Sequence, residues 1–412
     1  MTARWPSWAS VVSSVLSQCF LVLQGVVIAR TLGPAARGEL GWIQWAPPLV
    51  SAIAFFGMTQ AIGALAAAAP ERGPALFWSG FVTALCTAVV ISGIVAMVFM
   101  VGGWPAPQLV TISTVFLLSS VLEVIHAFPR DYLVSTQDFR TYDLLKLLQS
   151  VLSCGGILAL SLSNVLSPTS AALALLSGRA LLGLVSWFLI SRKLLPMQFA
   201  SKRQNLEMWR FGSFCLIAGL AAVFQTRVLQ WHAGFAFGTD GLGLYLVAAT
   251  WGSLGGAVWQ VMQVRLYPAI ARAQSEGRGR AAFQRAVLMG GILCVVAVAV
   301  GVAVTPALFP LVMGKSFSTG VTLAVLFAIA APIQAYGTLL GFCLRGAGRP
   351  GQAMIVDYAG AGGTVAAAIV FTKVSNSLSG FAWATAIGGL VAIISAAAFG
   401  LQQSENPIGS SA

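Results

Sequence analysis

Apolar stretches of about 20 residues recur along almost the whole of this chain, and that recurrence constrains its folding more than any motif does. Twelve such windows can be read, at approximately 10–30, 41–66, 76–101, 108–129, 144–164, 168–190, 209–235, 243–268, 286–311, 321–343, 353–372 and 379–400. The gaps between them are too short to hold a soluble domain. Composition agrees: 58% of the 412 residues are hydrophobic and 8% are charged, against roughly a quarter charged in a water-soluble domain. The expected fold class is therefore an all-α polytopic membrane protein of about twelve transmembrane helices.

The net charge of +12 does not point to nucleic acid, because no basic run interleaved with aromatics exists and the charges fall between apolar segments. They read instead as topology signals, since Lys and Arg loops resist translocation. With the N-terminus inside, 17 basic residues lie on the cytoplasmic side and Arg30, Arg37, Lys315 and Lys373 lie outside, while Arg179 and Arg227 fall within spans. Both termini are thus expected in the cytoplasm. The apolar run 11–29 is long enough for an uncleaved first helix. The six cysteines each sit inside an apolar segment without metal-site or disulfide spacing, and no cofactor is implied.

The chain also looks duplicated. Gly33 and Gly38 follow helix 1 as Gly238 and Gly243 follow helix 7, and the loop Thr136-Gln137-Asp138-Phe139-Arg140 echoes Gly346-Ala347-Gly348-Arg349-Pro350 at an offset of 210. Six helices per half, both halves starting inside, imply parallel repeats around a central cavity. The expected organisation is an N-terminal six-helix lobe at 1–195, a basic cytoplasmic linker at 196–208 and a C-terminal six-helix lobe at 209–412.

Around the first outside loop, Val27-Ile28-Ala29-Arg30-Thr31-Leu32-Gly33-Pro34 and then Gly38-Glu39-Leu40 resemble the opening of bacterial polysaccharide transporters, the lipid-linked oligosaccharide flippases of the multidrug/oligosaccharidyl-lipid/polysaccharide (MOP) superfamily. Gly238 through Gly243-Leu244-Tyr245, and Leu266-Tyr267-Pro268-Ala269-Ile270-Ala271-Arg272 after helix 8, continue the likeness. The resemblance implies a MATE-like fold in the cell membrane. It also implies an undecaprenyl-diphosphate-linked oligosaccharide as substrate, moved from the inner to the outer leaflet by alternating access. Membrane lipids and a polysaccharide polymerase or ligase are the implied partners. One departure is plain: family members often carry an Asp two residues beyond an Arg in helix 7, and here Arg227 is followed by Val228 and Leu229.

A diphosphate needs cationic partners, and the forked donors of Arg match its oxygens. Arg179, about eleven residues into helix 6, and Arg227, in helix 7, are the deep candidates; a salt bridge would explain Arg179 equally well. Arg30 and Arg37 are candidates at an outer gate or head-group site, with an Arg–Glu pair to Glu39 as the alternative. Glu123 and His126 share one face of helix 4 with Arg130, a spacing that fits proton coupling or a Glu123–Arg130 network at the cytoplasmic mouth. Asp357 is a candidate coupling site that can also pair with Arg345 or Arg349. Pro47 and Pro48 interrupt helix 2 and mark a kink or a gate. The tryptophans, among them Trp42, read as interface anchors, and Trp231, Trp251 and Trp259 could line a carbohydrate path.

Two other functions compete. An integral-membrane polymerase or ligase would expose catalytic residues on a sizeable outer loop, and no predicted outer loop exceeds about fifteen residues. A drug or cation antiporter of the same superfamily would share the fold but needs buried carboxylates in the first lobe, where helices 1 to 3 carry none within their spans.

Overall fold

The computed structural model describes residues 8–101, 107–136, 138–191, 194, 197–275, 278–347 and 349–401. Arg4, Trp5, Trp104, Gln137, Arg192, Lys193 and Gly348 of the sequence reading lie outside these residues. Among the described residues the chain is helical apart from short turns, with no strand, as lipid solvent requires: a helix satisfies its own backbone polar groups where no water can. Among the described residues nine stretches are long and apolar enough to cross a membrane. Two of them hold more chain than one crossing uses.

The first of these lies in α1 (Trp8–Ile43), whose 36 residues are interrupted at Gly33, φ 73° and ψ −179°. The second lies in α8 (Lys202–Ser275), whose 74 residues are interrupted at Gly238, φ 70° and ψ −171°. A straight helix of 74 residues would be about 110 Å long, several times the roughly 30 Å hydrocarbon core. Each break therefore separates two crossings. Both glycines occupy a backbone region that side chains bar to other residues, and they do so 205 positions apart. The loop expected after helix 1 shrinks to a single residue, so Arg37 and Glu39, expected beside it, are helical.

The chain divides into two compact units, Met1–Val223 and Phe224–Ala412, with the boundary inside α8. In the first unit, helix 2 of the sequence reading is built from three pieces: residues 34–43 of α1, then α2 (Ala46–Phe55), then α3 (Met58–Ala68). Pro47 and Pro48 stand at the start of α2, where a helix needs no N–H from them. The Pro47 carbonyl accepts from the Ser51 hydroxyl at 2.8 Å and from Ser120 of α5 (Pro107–Ser135) at 3.5 Å. A second break, unforeseen from the sequence, falls at Phe56 and Gly57, both left-handed. There the backbone approaches Gly212 so closely that a Cβ on Gly57 would lie 2.2 Å from its carbonyl oxygen.

Around these pieces pack α4 (Gly73–Val101), α5, α6 (Phe139–Leu162) and α7 (Pro168–Ile190). Their core is an aromatic cluster in which Phe77 meets Phe81, Phe128, Tyr132 and Trp187. α8 starts at Lys202, seven residues before the expected helix 7. The cause is a capping box: the Ser201 hydroxyl accepts from the Gln204 amide at 3.4 Å, and the Gln204 side chain accepts from the Ser201 amide at 2.8 Å.

In the second unit α9 (Gly279–Met313), α10 (Val321–Gly346), α11 (Pro350–Ser375) and α12 (Ser379–Leu401) follow the remainder of α8. Here α10 and α11 both pack on α12. The duplication has an exact register in this part of the chain. α6 and α11 begin 211 positions apart, as do α7 and α12. Asp138 donates from its amide to the Leu133 carbonyl at 2.9 Å, and Arg349 does the same to Leu344 at 3.0 Å. Thr136 to Tyr132 and Ala347 to Cys343 form a second matching pair. The loop echo read at 210 is therefore off by one residue, because residue type rather than backbone pairing was aligned.

Substituting Gly33→Ala or Gly238→Ala should each lower stability by about 1–3 kcal/mol through backbone strain. Gly25→Ala, in a helix interior with nothing within 4 Å of the new Cβ, should be neutral or stabilising by up to about 1 kcal/mol. Thermal unfolding of the three variants in detergent separates the two cases.

Candidate functional site

The charges that sequence places deep in the first unit meet at the junction of α5 and α7. Arg179 of α7 directs Nη1 to Oε2 of Glu123 on α5 at 3.1 Å. The other carboxylate oxygen, Oε1, lies 4.0 Å from Nδ1 of His126, one turn further along α5. Arg179 and Glu123 keep 27% and 22% of their side-chain exposure, whereas His126 has none. Neither ring nitrogen of His126 has a hydrogen-bond partner. An unsatisfied buried polar atom costs about 1–3 kcal/mol, so this imidazole is an expensive choice for packing alone. The helices are fixed beside it by the Trp187 indole of α7, which donates to the Ile125 carbonyl at 2.9 Å.

Arg130 does not join this group. Its guanidinium donates to Oδ1 of Asp131 at 3.2 and 3.3 Å and to Oε1 of Gln149 on α6 at 3.1 Å, and it lies over the Tyr142 ring at 5.8 Å. The expected Glu123–Arg130 network is thus replaced by two separate ones. Glu123 turns to α7 and Arg130 to α6, although their spacing sets them on one face. Gln149 carried a signal that was overlooked: a lone amide inside an apolar span needs a partner.

Arg30 lies three residues before the break at Gly33 and is exposed, and Arg37 lies four residues after it. Nη1 of Arg37 is buried without a hydrogen-bond partner, and no ion pair joins Arg37 to Glu39. In the second unit Arg227 donates to Oε1 of Gln230 at 2.6 Å. His232, five residues on, sets its ring edge-on to Phe381 at 5.5 Å. Asp357 pairs with Arg345, which also lies 4.8 Å over the Phe342 ring, while Arg349 donates to Gln352 at 3.4 Å. Nearby, the Gln225 amide donates to Thr364 at 2.8 Å in a buried contact that sequence reading did not single out.

The tryptophans divide by environment. Trp42 is 4% exposed and so belongs to the core rather than an interface, and Trp259, at 1%, is closed to any carbohydrate. Trp251 donates to Thr305 at 2.8 Å, and exposed Trp231 stacks on Phe235 at 4.5 Å. Among the described residues no three metal-ligating side chains gather.

The repeat shows what the α5–α7 charges are not needed for. At the 211 offset, Glu123, His126, Gly178 and Arg179 correspond to Gln334, Gly337, Gly389 and Leu390 at the junction of α10 and α12. That junction is tighter: a Cβ on Gly389 would lie 2.7 Å from the Gln334 amide nitrogen, and one on Gly337 would lie 2.9 Å from the Ala392 Cβ. In the first unit a Cβ on Gly178 would meet Ser153 of α6 instead, at 3.6 Å. The same helix pair therefore packs without charge in one half and encloses an ion pair in the other. Arg179→Leu alone should strand Glu123 and destabilise the protein by about 1–3 kcal/mol, below the range for a fully buried pair because both groups keep some exposure. The double variant Glu123→Gln, Arg179→Leu, which reproduces the second unit's residues, should recover at least half of that loss in a denaturation-based double-mutant cycle.

The fold is that of known transporters. Over 94% of both chains it matches an inward-facing multidrug resistance MATE family transporter of the MOP superfamily, with a TM-score of 0.76 at 18% identity. A MOP superfamily transporter from Pyrococcus furiosus, described as having a binding pocket of reversed polarity, matches over 96% of this chain and 95% of its own, with a TM-score of 0.69 at 16% identity. A MATE structure in the bent conformation matches over 95% and 93%, with a TM-score of 0.67 at 16% identity. No curated protein matches by sequence. The family model described as polysaccharide biosynthesis protein matches residues 27–322, most of the chain, so this polytopic helical membrane protein with a MATE-like MOP transporter fold belongs to the polysaccharide biosynthesis protein family.

Proposed function

We propose that this transporter flips an oligosaccharide linked to undecaprenyl diphosphate from the cytoplasmic to the outer leaflet of a bacterial inner membrane, by alternating access of its two halves. The observation that carries the reading is Arg179: a cation retained deep in an apolar helix, at a junction that the repeat assembles from Gln334 and Leu390 without any charge. A guanidinium there costs about 2.5–3.5 kcal/mol on insertion scales, and a diphosphate substrate is the ligand chemistry that would justify it. Arg30 and Arg37, on either side of Gly33, extend the cationic set of the first unit, and Arg227 is the candidate of the second. Membership of a polysaccharide biosynthesis family supplies the glycan, and the polymerase or ligase that consumes it would be the functional partner.

A drug or cation antiporter of the same superfamily is the competing reading. It calls for a free carboxylate, and the deep carboxylate of the first unit, Glu123, is engaged by Arg179. In cells depleted of the protein, lipid-linked glycan should accumulate on the cytoplasmic leaflet. Arg179→Ala and Arg227→Ala, expressed at normal membrane levels, should rescue less than a tenth of wild-type flipping. Normal glycan distribution together with lowered tolerance to cationic drugs would replace this reading with the antiporter.

The orientation has its own test. The excess of Lys and Arg in alternate loops supports a cytoplasmic location for both termini. Fluorescent-protein fusions at either end should fold and fluoresce, and periplasm-dependent phosphatase fusions at the same ends should be inactive.

A further inference from the structure

Three features of the α5–α7 junction bear on how Arg179 would exchange partners. Its present partner, Glu123, is itself an anion tethered 3.1 Å from the guanidinium. About a quarter of each side chain is exposed, while Oε2 of Glu123 itself is buried and held by ionic contact alone. Beyond the carboxylate stands His126, completely buried, with both nitrogens lacking a partner.

We infer that Glu123 is a built-in stand-in for the phosphate of the substrate, and that His126 receives its carboxylate when a diphosphate takes its place on Arg179. The inference rests on the transport reading above and specifies how its anion site is held when empty. Oε1 of Glu123 is 4.0 Å from Nδ1 of His126, so a shift of about 1 Å brings it within hydrogen-bond distance. A neutral imidazole always carries one N–H and needs no change of protonation to donate it. Exchange therefore trades one polar contact for another: Arg179 moves from carboxylate to phosphate, and Glu123 moves from guanidinium to imidazole. Glu123, whose Oε2 is buried in ionic contact with Arg179 but without a hydrogen-bond donor, gains a donor when the phosphate arrives, which lowers the main cost of displacing one anion with another.

The surroundings favour this division of labour. The other charges of α5, Arg130 and Asp131, are bound to each other, and Arg130 is also held by Gln149 of α6. α2 and α3 bring no ionisable side chain, and α4 brings only Cys86. No cationic side chain on those elements competes for the carboxylate. The repeat supports the same view, because Gly337 stands where His126 does and Gln334 where Glu123 does. Donor, stand-in and cation are gained or lost together.

Exchange makes opposite predictions for neighbouring residues. Full-length protein in detergent is titrated calorimetrically with farnesyl diphosphate, each variant being checked first for wild-type thermal unfolding. Glu123→Gln removes the competing anion and should tighten binding about tenfold, while Arg179→Gln should weaken it at least tenfold. His126→Leu removes the receiving donor and should weaken binding about fivefold, and His126→Gln, which restores a donor, should recover most of that loss. Should a His126 variant fail to fold, the wild-type infrared difference spectrum on adding farnesyl diphosphate is read instead. It should show a shifted carboxylate band that Glu123→Gln lacks. Unchanged or weaker binding by Glu123→Gln, an unaffected His126→Leu, no carboxylate shift, or no binding of farnesyl diphosphate by wild type would each overturn the exchange. The leaflet assay separates the two levels: glycan flipping that persists alongside such a result refutes the stand-in and leaves the transport reading in place, whereas loss of the transport reading shows in the leaflet assay itself.

Discussion

Lipid offers a peptide bond no hydrogen-bond partner, and every feature of this chain is arranged around that constraint. Helices satisfy it along the spans, so departures from helix have to be brief or covered by side chains. At Gly33 and Gly238 the departure is one residue long, made possible by a backbone conformation that only glycine adopts cheaply. At Pro47 the backbone carbonyl is tied to two serine hydroxyls. Where helices do begin, as at Lys202 and Pro168, capping boxes of Ser201 with Gln204 and of Ser167 with Ser170 close the exposed amides.

Duplication under this constraint produces two halves with one backbone plan and different interiors. The hydrogen-bond pattern at the α5–α6 turn returns at the α10–α11 turn, residue for residue at an offset of 211. The helix junctions beside these turns do not return. In the second unit small residues let α10 and α12 approach until backbone meets backbone, a contact that dispersion favours in lipid. In the first, Glu123, His126 and Arg179 hold the corresponding space with charge. Packing accounts for the former, and chemistry for the latter.

Much of the fold was legible because the signals were collective. A dozen apolar windows, the order of elements in two halves and the glycines at 33 and 238 are spread over the whole chain, so local errors do not obscure them. The site was less legible because side-chain partners are set by tertiary geometry. Spacing placed Glu123, His126 and Arg130 on one face correctly, but could not say that α7 would draw Glu123 and α6 would draw Arg130. Asp357 allowed two partners, and the structure selects Arg345. The break at Phe56 and Gly57 carried no sequence warning, since one left-handed residue is an aromatic and 44 glycines dilute the other. Trp42 misled for a related reason: an indole near a helix end can anchor at an interface or fill a core with equal hydropathy.

The three-piece construction of helix 2 has a mechanical meaning. In the first unit the segment after Gly33 is divided at residues 44–45 and again at 56–57, whereas its counterpart after Gly238 runs through Ser275 without a further non-helical residue. An unbroken helix transmits force along its axis and resists bending; a helix cut twice bends at its cuts and keeps each piece rigid. The two halves consequently differ in compliance, one carrying a jointed arm where the other carries a strut. A load applied equally to both would be absorbed as rotation in the first and passed on undiminished by the second.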